Sequence, residues 1–166
     1  MSDIIDGTNG IDGARFRQVL GHFPTGVTVI TSGTDDGPVG MAVGSFTSLS
    51  LEPPQVLFCA GNASTSWPRI RDHGSFTVNI LAEDQEDVSR VFASKGADKF
   101  AEIGWHRSPA GNPLLDGALA WIECRLGSII ESGDHSIVIG EVNDLKVAHE
   151  GRPLVFFRGG YGRLRD

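Results

Sequence analysis

Cysteine is nearly missing from this chain: Cys59 and Cys124 are the only two in 166 residues. That excludes a disulfide-stapled scaffold. Both fall in apolar, strand-like segments and read as buried free thiols. The histidines at positions 22, 73, 106, 135 and 149 form no i,i+4 pair and have no cysteine pair nearby, so a metal site with the usual zinc spacings is not expected. Basic residues are also scarce, 14 Lys+Arg against 21 Asp+Glu for a net charge of −7. That argues against a nucleic-acid-binding or anionic-membrane protein, while leaving room for a local basic pocket around one phosphate. No apolar run resembles a signal peptide or approaches a membrane span, so a cytoplasmic protein is expected and the sequon Asn62–Ala63–Ser64 carries no meaning. The chain lacks G-x-x-x-x-G-K-[ST], lacks G-x-G-x-x-G after a strand, and lacks a G-x-S-x-G elbow. With no evident acid, base, nucleophile or metal, two classes remain: a binding protein, or an enzyme whose cofactor carries the chemistry.

What is present suits one folded domain, with 40% hydrophobic and 21% charged residues. Residues 1–11 are polar and glycine-rich and read as a loose tail, leaving 12–166 as the domain. Asp12 reads as a helix N-cap, and Phe16, Val19, Leu20 and Phe23 then form the apolar stripe of a short helix that Pro24 ends. Thr25–Thr31 reads as a strand, Asp35–Pro38 as a turn, Val39–Phe46 as its hairpin partner and Gln55–Cys59 as another strand. Ser64 or Thr65 is expected to cap a helix running through His73, with Pro68 in its first turn. Strand Ser75–Leu81 follows, then a short helix opened by Asp84 with Val88, Val91 and Phe92 on one face. Residues 93–117 read as a surface excursion. Leu119–Ile130 and Ser136–Val147 are long strands joined by the turn Gly133–Asp134–His135, and Leu154–Arg158 is a further strand. Many strands with only short helices predict an all-β, mostly antiparallel barrel or sandwich.

The segment Val39–Pro54 stands out. Gly40, Ala42, Gly44 and Ser45 occupy positions where a core strand would carry bulky residues. Bare backbone lets a flat or phosphorylated ligand come close, and Ser45, Thr47, Ser48 and Ser50 add uncharged hydroxyls. The competing reading is a glycine-softened strand running into a polar loop.

Taken in order, Phe16–Thr31, Val39–Pro54, Phe76–Leu81, Asp98–Phe100, Gly133–His135 and Arg158–Tyr161 resemble the short-chain flavin reductase family, the small reductase components of two-component flavin-dependent monooxygenases. The resemblance spans about Phe16 to Tyr161. It implies a flavin-reductase-like split β-barrel with Greek-key connections, usually a homodimer. It also implies FMN, or FAD in some members, as the bound flavin, with NADH or NADPH as hydride donor and a flavin-dependent oxygenase as partner.

By the same resemblance, Pro38, Val39, Gly40, Met41 and Ala42 line the flavin ring, and Gly44 and Ser45 add contacts. Cys59, Ala60 and Gly61 follow a strand end that again meets flavin. Thr65 and Ser66, at a helix start, suit the phosphate, as does Lys99, and Phe92 packs near the site. His135, Phe156, Phe157, Arg158 and Gly159 match the pyridine-nucleotide contacts. His135 is the one catalytic candidate, Arg158 a phosphate partner, and Tyr161 a stacking or packing residue. The family commonly carries a more polar side chain at one or both of positions 42 and 44, so recognition by backbone is the safer expectation for Ala42 and Gly44.

Hydride transfer from reduced nicotinamide to flavin needs no catalytic base, only two rings held face to face. The alternatives are a non-enzymatic FMN-binding barrel for sensing or storage, an oxidase on a related barrel, and a purely structural dimer.

Overall fold

The computed structural model describes residues 10–96 and 98–165. Residues 1–9 of the expected tail lie outside them. Helix α1 (Gly13–Leu20) is capped as expected, Asp12 Oδ1 accepting from the Arg15 amide at 2.7 Å. Its apolar stripe joins no core among the described residues: Phe16, Val19 and Leu20, with Phe23 just beyond the helix, are 52–74% exposed.

The strand expected over 25–31 is two strands, β1 (Thr25–Gly26) and β2 (Thr28–Thr34). The chain changes sheets at Val27, which breaks the ladder. β2 turns into β3 (Gly37–Val43) through Asp35–Asp36, with Gly37 at φ +100°. The segment read as a polar loop is strand β4 (Thr47–Leu51), paired with β5 (Pro54–Gly61). β4 is an exposed edge strand, and such a strand needs no apolar alternation to hold its ladder.

Helix α2 (Trp67–His73) starts after Ser64 and Thr65 and ends at Gly74 (φ +81°). β6 (Ser75–Ile80) follows. Helix α3 (Glu86–Ala93) opens at Gln85 rather than Asp84. Gln85 uses its side chain to accept from the Ala82 amide and donate to the Asp116 carbonyl. The excursion holds a small hairpin, β7 (Trp105–Arg107) and β8 (Pro113–Leu115). Long strands β9 (Ala120–Ser132) and β10 (His135–Val147) pair across the expected turn. Last come β11 (Leu154–Phe157) and β12 (Gly160–Arg163), the second of them not predicted. Arg158 and Gly159, both at positive φ, make their tight turn.

The main sheet has the order β3-β2-β6-β9-β10-β5-β4, every neighbouring pair antiparallel. Its two edges, β3 and β4, are consecutive in the chain. The short link Gly44–Phe46 joins them, so the sheet curls on itself without a closing ladder. Ser45 Oγ fastens this link by accepting from the Cys59 amide at 2.9 Å. The result is the expected Greek-key split barrel. β1, β11 and β12 form a separate three-stranded sheet.

Two cores result. Inside the barrel, Phe58 meets Phe76 and Trp67 edge to face, with Ile30, Ile70, Val78 and Val138 around them. Each such buried side chain contributes roughly 1.5–3 kcal/mol. On the outer face, Val29, Leu81, Phe92, Phe100, Leu115 and Leu154 pack beneath α3 and the excursion. The same face carries buried Thr31, Asn79, Asn112 and Glu123, and Glu123 accepts the Ser108 hydroxyl. Cys124 is buried as expected, its thiol pushed up to about 12 by burial first and by neighbouring Glu123 second. Cys59 is only half-buried, because it points outward from β5.

Candidate functional site

Alternation along β3 sorts its residues. Val39, Met41 and Val43 pack against the barrel interior. Gly40, Ala42 and the following Gly44 fall on the opposite, outer face. The small outward residues do not all serve one end. A Cβ on Gly40 would sit 2.7 Å from Phe92 Cε1 and 3.2 Å from the Ile30 carbonyl. Its bareness therefore makes room for Phe92, not for a ligand. Ala42 and Gly44 do front open space, and a Cβ at Gly44 would meet only Thr25 Oγ1, at 3.3 Å.

That open space is a groove of three adjoining cavities. The first, about 180 Å³, is walled by Val27, Ala42, Gly44, Ser89, Phe156 and Tyr161. The second, about 260 Å³, shares Ala42 and Ala93 with it and adds Met41, Ser64, Thr65, Phe92 and Lys99. The third, about 270 Å³, shares Thr65, Ser66, Lys95 and Lys99 and adds Pro38, Val39, Gly40 and Arg69. One end is apolar and aromatic, and the other carries three cationic side chains and Asp98.

Lys99 bridges the groove floor. Its Nζ donates to the Gly40 carbonyl at 3.3 Å and to the Phe92 carbonyl at 3.0 Å. An ammonium has three donors, so one remains for the groove. Partial burial lowers its pKa below the ordinary lysine value. At the start of α2 the amides of Ser66 and Trp67 are already taken by Ser64 Oγ, at 3.2 Å each. What this turn brings to the groove is Thr65, beside the basic side chains of Lys95 and Lys99.

At the apolar end, Tyr161 is held on three sides. Its hydroxyl lies 2.9 Å from Ser89 Oγ, its ring meets Phe156 edge-on, and the Arg90 guanidinium stands 4.9 Å from its centroid. Close by, Thr25 Oγ1 is buried and has no hydrogen-bond partner among the described residues.

The expected site residues thus separate. Pro38, Val39, Gly40, Met41, Ala42, Gly44, Thr65, Ser66, Phe92, Lys99 and Phe156 line the groove. Ser45 is spent on the backbone of Cys59, and Ala60 is fully buried in the barrel interior. Gly61 lies opposite His135 across the β5–β10 ladder. His135 is exposed, with Nδ1 2.7 Å from Asp134 Oδ1. This bond holds the Asp134 carboxyl below its usual range. Phe157, Arg158 and Gly159 lie instead against α1, where the Arg158 amide donates to the Gly21 carbonyl at 2.8 Å and Phe157 meets His22 edge-on. His135 and Arg158 therefore occupy different parts of the surface.

Ser64, Ser89, Arg69 and Lys95 line the groove without having been expected there from the sequence, which marked Ser64 only as a helix cap. Lone basic residues on a helix or loop resemble any solvated charge, and only the folded chain gathers them. Among the described residues Lys95 has no hydrogen bond or ion pair, so its charge is available to a ligand.

A family model described as "Flavin reductase like domain" matches residues 20–165. The flavin reductase of Pseudomonas putida is 50% identical over 155 residues, covering 93% of this chain and 91% of that protein. The reductase subunit HsaB of a flavin-dependent monooxygenase from Rhodococcus jostii is 52% identical over 151 residues, covering 91% and 77%. Among solved structures, the NADH:FAD oxidoreductase SgcE6 of Streptomyces globisporus, in complex with NAD and FAD fragments, superposes with a TM-score of 0.87 at 37% identity, covering 99% and 98%.

Proposed function

This chain belongs to the flavin reductase-like family, and from that premise we propose that it reduces free flavin with NADH and supplies it to a partner flavin-dependent monooxygenase. The observation that carries the reading is the groove itself. It runs from an aromatic, uncharged end beside Ala42 and Gly44 to a cationic end at Lys95 and Lys99. A ring system with a phosphorylated tail has that same polarity. The unpartnered Thr25 hydroxyl beside Gly44 fits a ligand that brings polar edges to the apolar end.

A bound flavin would supply the redox chemistry, accepting the hydride of NADH. The chain's residues hold and orient. Ala42 and Gly44 let a ring lie against β3 at contact distance, and exposed backbone there can bond its polar edge. Thr65, Lys95 and Lys99 take the phosphate. Tyr161 and Phe156, fixed by Ser89 and Arg90, limit how the second ring stacks and keep water from the contact. Of the nicotinamide contacts, Phe156 borders this end directly, and Arg158 on the neighbouring turn suits a nucleotide phosphate. His135 is assigned to the carboxamide or to water exclusion. No side chain needs to move a proton for the hydride step.

The active unit we propose is a cytoplasmic homodimer of the 12–166 domain. No helix among the described residues is long and apolar enough to cross a membrane. Anaerobic mixing with NADH should bleach the visible absorbance of oxidised FMN or FAD. Tight flavin binding without bleaching by NADH or NADPH would instead select the storage barrel.

A further inference from the structure

The groove does not end at Lys99. Arg69, on α2, lines the 270 Å³ cavity and also a further cavity of about 210 Å³ on its far side. Thr34, Asp35, Asp36, Asp72 and His73 complete that second space, and nothing assigned so far uses it. Charge reverses across Arg69. Lys95 and Lys99 stand on the near side with one carboxylate, Asp98, and three carboxylates, Asp35, Asp36 and Asp72, stand on the far side with His73. A ligand crossing this boundary places its anionic part before Arg69. Its part beyond must carry no negative charge and be rich in donors, because ionised carboxylates only accept.

Arg69 is set for such a crossing. Its Nη2 alone is engaged, donating to Thr34 Oγ1 at 3.2 Å, to the Gly37 carbonyl at 3.2 Å and to the Asp36 carbonyl at 3.5 Å. These bonds pin the guanidinium to the β2–β3 turn. Its Nε and Nη1 have no partner among the described residues, so one edge of the fork is left for phosphate oxygens.

We propose that the cavity beyond Arg69 takes the adenosine end of FAD, so that this chain selects FAD over FMN. Arg69 bonds the pyrophosphate, and Asp35 and Asp36 accept from ribose hydroxyls or the adenine amino group. The proposal rests on the flavin-reductase reading. NADH carries the same adenosine diphosphate group, but the cavity shares Arg69 with the groove assigned to flavin, which attributes it to FAD.

The test is fluorescence titration of the full-length chain with FAD, FMN and riboflavin. FAD should bind about tenfold or more tightly than FMN, as one forked charge-assisted contact warrants. Arg69→Ala should bring the FAD/FMN affinity ratio towards one, and Arg69→Lys, which keeps the charge but not the fork, should recover only part of it. Because Arg69 also braces a turn, the exposed pair Asp35→Ala/Asp36→Ala gives an independent reading and should lower the same ratio. FMN binding as tightly as FAD to the native chain would overturn the proposal, as would a ratio indifferent to both sets of variants. So would a change confined to NADH relative to its mononucleotide half, which would give the cavity to the nicotinamide substrate. If none of the three flavins bound, the reductase reading itself would fall with it.

Discussion

One added carbon at position 40 tests what a glycine in β3 is for. Its Cβ would lie 2.7 and 2.9 Å from two atoms of the Phe92 ring. Phe92 is almost fully buried and packed edge-on against Phe100, so the ring can yield only by giving up that packing and moving into the groove. Gly40→Ala should therefore destabilise the fold by about 1–3 kcal/mol, read as a fall in Tm, and Phe92→Leu on that background should recover part of the loss. Lys99 makes a second residue-scale prediction. Burial penalises its charged form, so its pKa in the folded chain lies below the ordinary 10.5. The stability cost of that charge is present at neutral pH and disappears as pH rises through the lowered pKa. Attraction for a flavin phosphate moves the opposite way and fades over the same range. FMN affinity should thus decline between neutral pH and the ordinary lysine value while riboflavin, which lacks the phosphate, follows no such decline. Parallel curves for the two would remove Lys99 from the phosphate site.

At the scale of elements, β3 divides its labour by parity. Its inward residues build the core, and Ala42 fronts two cavities of the groove. Ala42→Phe should fill the ring space and weaken flavin binding about tenfold or more while far-UV circular dichroism stays native. An unchanged affinity would move the flavin elsewhere. This strand was legible in the sequence because bulky and small residues alternate from Val39 to Gly44, which is the period of a strand with two different faces. What Gly40 accommodates was not legible, since Phe92 reaches it from a helix distant in the chain. β4 escaped notice because Thr47, Ser48 and Ser50 on an exposed edge show no apolar rhythm. β12, short and glycine-rich, escaped for a similar reason. The stripe of α1 was visible, but nothing in its spacing says whether a stripe faces its own chain or another. Arg69 and Lys95 carried no local signal at all. Sequence patterns report burial and turns, whereas a groove is made by segments that meet only after folding.

At the scale of the whole molecule, the apolar surface exceeds what a lone chain explains. Phe16, Val19 and Leu20 are open on α1 and Phe23 just after it, as are Leu49 and Leu51 on β4. On the long β9–β10 pair, Ile129 and Ile130 are open where β9 runs past its ladder with β6, and Leu145 and Val147 are open where β10 runs past its ladder with β5. Scattered exposed leucines are ordinary, but a complete helix face is not, and contiguous faces of this kind mark interfaces. A stable dimer needs about 1,600 Å² of total buried surface, within reach of a helix face and a projecting hairpin together. The native mass should therefore be twice 17.7 kDa by light scattering at micromolar concentration. Phe16→Asp/Val19→Asp, at positions buried in no core of this chain, should shift it to the monomer with the sheet content intact. The reductase rate should fall with it, because α1 runs directly into Gly21, whose carbonyl holds the Arg158 turn, and that turn is continuous with Phe156 at the apolar end of the groove. A native monomer, or a double variant that stays dimeric and fully active, would separate α1 from both assembly and turnover. The exposed stripe would then be a surface for the oxygenase, and the same double variant should lower coupled oxygenation while leaving flavin reduction alone.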